Sequence, residues 1–170
     1  MSVAEPALRL AQARDAQAIA RMSRDLIETG LGWSYDAPKI QRLIADPDTL
    51  VVVAYNDVEL TGFAVMQFGD ERAHLVLLAV QPRHQRRGVA RRMLSWLLQS
   101  ARTAGIGELS LELRAGNAGA RAFYRGMGFG DAGLIPGYYR NREPALRMVR
   151  ALRIAGGVAA CWQAPTLRRP

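Results

Sequence analysis

The segment Ala73 to Val80 is apolar at nearly every position, and it runs directly into a loop that holds arginines and no acid. An apolar run without alternation reads as a strand buried on both faces, so it belongs inside a sheet that other layers cover. Pro82 ends it. From Gly88 to about Thr103 the apolar positions Val89, Met93, Trp96, Leu97 and Ala101 fall on one side of a helix, which Gly105 and Gly107 stop. The connecting loop is Gln81-Pro82-Arg83-His84-Gln85-Arg86-Arg87-Gly88. The first amides of a helix have no intrahelical acceptor, and the helix dipole adds positive potential there. With Arg86 and Arg87 supplying charge and Gly88 leaving the backbone uncovered, the loop suits an anion such as a pyrophosphate. Other phosphate loops do not fit. No GxxxxGK[ST] occurs, and Gly126-Met127-Gly128-Phe129-Gly130 lacks both the third glycine and the following helix of a dinucleotide-binding turn.

The flanking sequence supplies the other elements. Leu8-Arg9-Leu10 reads as a short strand. Asp15 then opens an amphipathic helix carried by Ala16, Ile19, Ala20, Met22, Leu26 and Ile27 and stopped by Gly30 and Gly32. A second helix from about Asp36 to Ala45 tolerates Pro38 in its first turn. Leu50 to Tyr55 and Glu59 to Phe68 form a hairpin about Asn56-Asp57. Leu109, Leu111 and Leu113 alternate with Ser110, Glu112 and Arg114, which predicts a strand with one packed and one polar face. Asn117 caps a helix from Ala118 to Met127 that Gly128 closes, and Phe129 to Tyr139 with Ala145 to Leu152 make a final strand pair. The order β-α-α-β-β-β-α-β-α-β-β describes an α/β domain with a mixed sheet.

With 170 residues, 49% hydrophobic and 22% charged, the chain suits one globular domain, residues 1–155, with 156–170 as a C-terminal extension. No apolar run approaches the ~18 residues of a membrane span, and Met1 to Leu10 lacks a secretory pattern, so no membrane partner is expected. The single cysteine, Cys161, allows neither an internal disulfide nor a cysteine-based zinc site, which agrees with a reducing, cytoplasmic setting. The net charge of +8 divides unevenly. Residues 81–92 hold five arginines and no acid, and residues 140–170 hold seven arginines and one glutamate, which leaves −3 for the remainder. No helix carries a basic stripe with base-reading polar residues, so no nucleic-acid partner is expected. His74 and His84 lack paired ligand spacing, no metal is expected, and His84 reads as a solvated loop residue. Apolar Val158 to Trp162 reads either as a cover for the sheet or as a contact with a second copy of the chain in a homodimer.

Gln85-Arg86-Arg87-Gly88-Val89-Ala90 resembles the Q/R-x-x-G-x-G/A signature of the GCN5-related N-acetyltransferases (GNAT), with Ala90 where many members have glycine. Leu111-Glu112-Leu113-Arg114-Ala115-Gly116-Asn117, Tyr124, Gly128-Phe129, Tyr138-Tyr139 and Ala145-Leu146-Arg147-Met148 follow in the family's order. The resemblance runs from about Leu75 to Met148. Its later blocks are similar to the branch that acetylates protein N-termini, in particular the ribosomal-protein N-terminal alanine acetyltransferases. The segment around Trp33 and the tail after Leu152 do not match that branch. The resemblance implies a mostly antiparallel sheet with helices on both faces, acetyl-CoA as cosubstrate, and direct transfer to a primary amine in a ternary complex. The pyrophosphate is expected at Gln85, Arg86, Arg87, Gly88, Val89 and Ala90, and the pantetheine along Leu78, Ala79 and Val80. A backbone N–H near Leu78 is expected to polarise the thioester carbonyl. The acceptor implied is a peptide or protein N-terminus. A small-molecule amine such as a polyamine, amino acid or antibiotic is the alternative, and a catalytically inert CoA-binding protein is a third reading.

Direct transfer needs two proton movements, because the attacking ammonium must lose a proton and the departing thiolate must gain one. Tyr124 follows the Asn117 cap by two helical turns, and the resemblance places it beside the sulfur as the acid. Read from the helix alone, it is a core aromatic next to Phe123. Glu112, on the polar face of its strand, is the candidate base, directly or through a water; the other reading is an ion pair with Arg114 on the same face. Asn117 reads as a helix cap and, by resemblance, also as a CoA contact. Trp33, Tyr35, Tyr138 and Tyr139 fall in the segments that wall the acceptor site in the family, or are ordinary packing aromatics. Asp25, Glu28 and Asp36 form either an acidic rim for a cationic amine or a solvated helix face.

Overall fold

The sheet in the computed structural model contains all seven strands in the expected order. The structure describes residues 5–153, so the boundary expected at residue 155, the extension 156–170, Val158 to Trp162 and Cys161 lie outside the described residues. The elements are β1 (Ala7–Leu10), α1 (Ala16–Leu26), α2 (Ala37–Ala45), β2 (Thr49–Tyr55), β3 (Leu60–Phe68), β4 (Arg72–Val80), α3 (Val89–Thr103), β5 (Glu108–Arg114), α4 (Ala118–Gly126), β6 (Gly130–Tyr139) and β7 (Glu143–Ala151). They form one sheet of order β1-β2-β3-β4-β5-β7-β6. β4 and β5 run parallel and every other pairing is antiparallel. The parallel step follows from α3, whose crossover returns the chain in the same direction.

Each face of the sheet buries its own apolar set. Val89, Met93, Leu94, Leu97, Leu98 and Ala101 of α3, with Tyr124 of α4, pack on Ala64, Met66, Leu75, Leu109, Leu111 and Met148. Ala16, Ile19, Ala20 and Met22 of α1, with Ile40 of α2, pack on Val51, Val53, Phe63, Val65, Leu77 and Ala79. Gly62 of β3 permits close layering, because a Cβ there would stand 2.9 Å from the Ala79 carbonyl and 3.0 Å from Met93. Asp36 caps α2 by accepting from the Lys39 amide at 2.9 Å, with Pro38 in the first turn as expected.

Two irregularities in β4 position the site. The pairing with β3 shifts between Val65 and Met66, so Val76 is an extra residue on β4. Ala73 and Leu75 therefore face α3, whereas Val76, Leu77 and Ala79 face α1 and α2. Further, β4 pairs with β5 only from Arg72↔Glu108 to Leu75↔Leu111. Beyond that point both strands continue, and they part.

Candidate active site

The loop before α3 passes twice through the left-handed region, at Arg86 (φ 62°) and at Gly88 (φ 80°). Gly88 has no Cβ to strain there, and an added one would meet nothing within 4 Å, so the space above the backbone is open. Arg86 holds the same conformation with a full side chain, a strain of the kind that collects at binding loops. Gln85 is tied down, its Nε2 donating to the Val80 carbonyl at 2.9 Å. After it, no amide from Arg86 to Arg91 meets an acceptor among the described residues; the first to do so is Arg92, at 3.0 Å from the Gly88 carbonyl. α2 and α4 have side-chain caps, from Asp36 and Asn117, but α3 has none. A row of backbone donors thus lies beside Arg86 and Arg87, which are exposed and make no ion pair among the described residues. His84 departs from the solvated reading. Its Nε2 stands 3.2 Å from Glu59, which also pairs with Arg83, and these contacts hold the Glu59 carboxyl below its usual range.

The opening between β4 and β5 runs from Leu75 and Leu111 to the start of this loop. The Gln81 amide donates to Thr61 on β3 at 2.9 Å, and strand alternation then turns Ala79 toward β3 and the backbone groups of Leu78 and Val80 toward the opening. Tyr124 packs in the core on the α3 side of the sheet. It is 8% exposed, with its ring edge-on to Phe123 at 5.1 Å and Phe129 at 5.7 Å. Burial pushes the phenol far above its ordinary value, so it keeps its proton. Among the described residues its hydroxyl makes no hydrogen bond. Phe123 packs against the same core, in line with its expected role. Asn117 is a cap, its Oδ1 accepting from the Ala120 amide at 3.1 Å.

Glu112 lies on the other face of β5. Its side chain is 6% exposed, Oε1 accepts from Arg147 Nε at 3.0 Å and Nη2 at 2.8 Å, and Oε2 is 2.9 Å from His74 Nε2. The ion pair is therefore real, but its partner is not Arg114. Neighbours at i+2 on a strand stand farther apart than directly opposed residues, and the register places Arg147 opposite Glu112. Arg114 instead donates to Glu143 at 2.9 Å and to the Thr29 carbonyl at 2.6 Å, with its guanidinium 5.5 Å from the Tyr139 ring centre. It joins the end of β5 to the α1–α2 loop and the β6–β7 turn.

Those two segments come together as expected, by contacts that sequence did not reveal. Burial chiefly raises the Tyr35 hydroxyl, and Glu28 and Tyr138 raise it further. Tyr138 is raised by burial and then by Glu112, and Tyr139 reaches about 12, again chiefly through burial. Tyr138 and Tyr139 meet edge-on at 4.9 Å. A Cβ on Gly32 would collide with the Arg140 guanidinium, which therefore lies across from one wall to the other. Trp33 is half-exposed in the same loop: Nε1 donates to the Ala20 and Tyr35 carbonyls, and the ring lies under Arg24. The acidic rim is not free either. Asp25 pairs with Arg24, Asp36 caps α2, and buried Glu28 accepts from Ser23 Oγ and from the Ser34 and Tyr35 amides, which fixes the α1–α2 loop. His74, Ser110, Arg147 and Arg114 are the site residues that sequence reading missed, and only strand register could have found them.

Comparison with known proteins agrees with this geometry. A family model described as the acetyltransferase (GNAT) family matches residues 18–129. The chain is 40% identical over 87 residues to a [ribosomal protein bS18]-alanine N-acetyltransferase of Salmonella typhimurium, covering 51% of this chain and 59% of that protein. The chain thus spans less than two thirds of that relative. It is 34% identical over 132 residues to the N-alpha-acetyltransferase RimI of Mycobacterium tuberculosis, covering 74% of this chain and 79% of the other. The crystal structure of the ribosomal-protein-S18-alanine N-acetyltransferase from Escherichia coli superposes with a TM-score of 0.75 at 26% identity, over 90% of this chain and 97% of that one.

Proposed function

The chain belongs to the acetyltransferase (GNAT) family, and from that premise we propose that it transfers an acetyl group from acetyl-CoA to the N-terminal amine of a peptide or protein. One observation carries the reading: β4 and β5 part beyond Leu75 and Leu111, next to the unbonded amides that open α3. A strand edge beside an anion loop fits a ligand with an amide-bearing arm and a pyrophosphate. The open amides of Arg86 to Ala90 and the exposed guanidinium groups of Arg86 and Arg87 supply the donors and charge that such a ligand needs.

Acetyl-CoA supplies an activated acetyl thioester. The amides of Arg86 to Ala90, with the guanidinium groups of Arg86 and Arg87, hold the pyrophosphate, and the backbone of Leu78 and Val80 pairs with the pantetheine arm. The Leu78 N–H donates to the thioester oxygen as negative charge grows there, a contribution of roughly 3 kcal/mol for one donor of this kind. Tyr124 lies on the α3 side of β5 and Glu112 on the opposite face, so acid and base flank the opening from two sides. Glu112 takes the proton from the acceptor ammonium, directly or through a water, and Tyr124 gives one to the departing sulfur. Tyr35, Tyr138 and Tyr139 line the acceptor approach.

Similarity to two N-terminal acetyltransferases and to a third in three dimensions supports a peptide acceptor. The test is CoA release with two panels of acceptors, short peptides with free N-termini and free small amines. Turnover on peptides, lost when the N-terminus is blocked, is the expected result. Turnover confined to polyamines, amino acids or antibiotics would overturn the peptide acceptor, and CoA binding without turnover on either panel would overturn catalysis.

A further inference from the structure

Glu112 is part of a continuous side-chain network. His74 and Ser110 are direct partners across the parallel pairing of β4 and β5, and Ser110 Oγ stands 3.0 Å from His74 Nδ1. The other ring nitrogen stands 2.9 Å from Glu112 Oε2, while Arg147 holds Oε1. An ionised carboxylate only accepts, so Nε2 is the protonated nitrogen. In the neutral ring Nδ1 is then a lone pair, and the Ser110 hydroxyl is the donor that meets it. The Glu112 carboxylate thus sets the tautomer, and Ser110, whose hydroxyl can donate or accept, holds the ring in place.

Arg147 alone would not fix the carboxylate. Its side chain is 51% exposed, and a pair to one oxygen lets the flexible glutamate turn with it. His74 supplies a second point of attachment, on a stiffer ring, one residue before the last pair that joins β4 to β5. The Val76 bulge gives the network its place, because upstream of it His74 shares the face of Ser110, Glu112 and Arg147.

We propose that His74 is a positioning residue for Glu112, with Ser110 holding its ring, so that the carboxylate meets the acceptor amine in one orientation. This rests on the reading of Glu112 as the base. In the step it assists, an N–H bond of the acceptor ammonium breaks and an O–H bond forms on Glu112. His74 keeps its Nε2 proton and donates throughout.

The test uses the full chain with peptide acceptors, measuring kcat, acceptor KM, CoA affinity and melting temperature. His74→Ala should lower kcat about tenfold through misorientation, with KM and CoA affinity within about twofold. His74→Gln, whose amide donates from nearly the same place, should restore most of the rate. Ser110→Ala should cost about threefold, the worth of one hydrogen bond. In a Glu112→Gln background His74→Ala should cause no further loss, the non-additivity expected of one network. Wild-type kcat in His74→Ala, no rescue by His74→Gln, or equal losses in both backgrounds would each overturn the positioning role. Full kcat in Glu112→Gln is a different result, for it removes the base on which the proposal stands.

Discussion

The two halves of the site are built by different means. The loop at the start of α3 offers backbone: a row of amides, a left-handed glycine and arginines within one short segment. The proposed acceptor side is made of groups that meet across the sheet, Glu112 with Arg147 and His74, and Arg114 with Glu143 and Thr29. A backbone site constrains a few adjacent residue types and so leaves a motif. A side-chain site constrains pairs that are far apart in the chain, and no local pattern marks them.

Substitutions that separate the halves can break this contrast. The largest expected effect is at their junction, where Tyr124→Phe should lower kcat about 100-fold with CoA affinity unchanged, as measured by steady-state kinetics and calorimetry. Equal kcat in the variant would remove Tyr124 from proton transfer. Next is Gly88→Val, which forces a β-branched residue to φ 80° at a cost of roughly 1–3 kcal/mol. CoA affinity should fall about tenfold while acceptor KM stays put, since 1.4 kcal/mol is tenfold in binding. The mirror case is Arg114→Met, which frees Glu143 and the Thr29 carbonyl. Acceptor KM should rise about fivefold with CoA affinity intact, a loss in the range of one hydrogen bond to a charged group. If Arg114→Met and Gly88→Val disturb both ligands alike, the halves are not separate. The smallest effect belongs to Asn117→Ala, which should lower stability by about 1 kcal/mol through the lost α4 cap, read by chemical denaturation.

The same contrast explains what could be read in advance. Element order, the hairpin at Asn56-Asp57, the two-faced strand at 109–113 and the cap Asn117 all depend on spacing of a few residues, and they stand as expected. The open amides before α3 follow from equally local signals, Pro82, Gly88 and the arginines between them. Glu112 was placed on the correct face but given the wrong partner, because the nearest charge in sequence is Arg114 and the nearest in space is Arg147. His74 had no sequence signal at all, since its significance depends on the bulge at Val76 and on a parallel pairing to β5. Asp25, Glu28 and Asp36 looked like a charged rim and are each engaged locally, which only the loop's hydrogen bonds disclose.

The extra residue at Val76 behaves like a shift of reading frame in β4. Before it, even-numbered side chains point to the acceptor face; after it, odd-numbered ones point to the helices on that side. Point substitutions along the strand leave this phase alone, so they can be tolerated or repaired one at a time. Deletion of Val76 leaves it alone as well, because Leu75 still opposes Met66 and Leu77 still opposes Val65, now in plain alternation, whereas deletion of Leu78 turns the end of the strand over and exchanges the faces of Ala79 and Val80. The strand therefore carries one residue that it can lose without exchanging its faces, and that residue is the bulge itself.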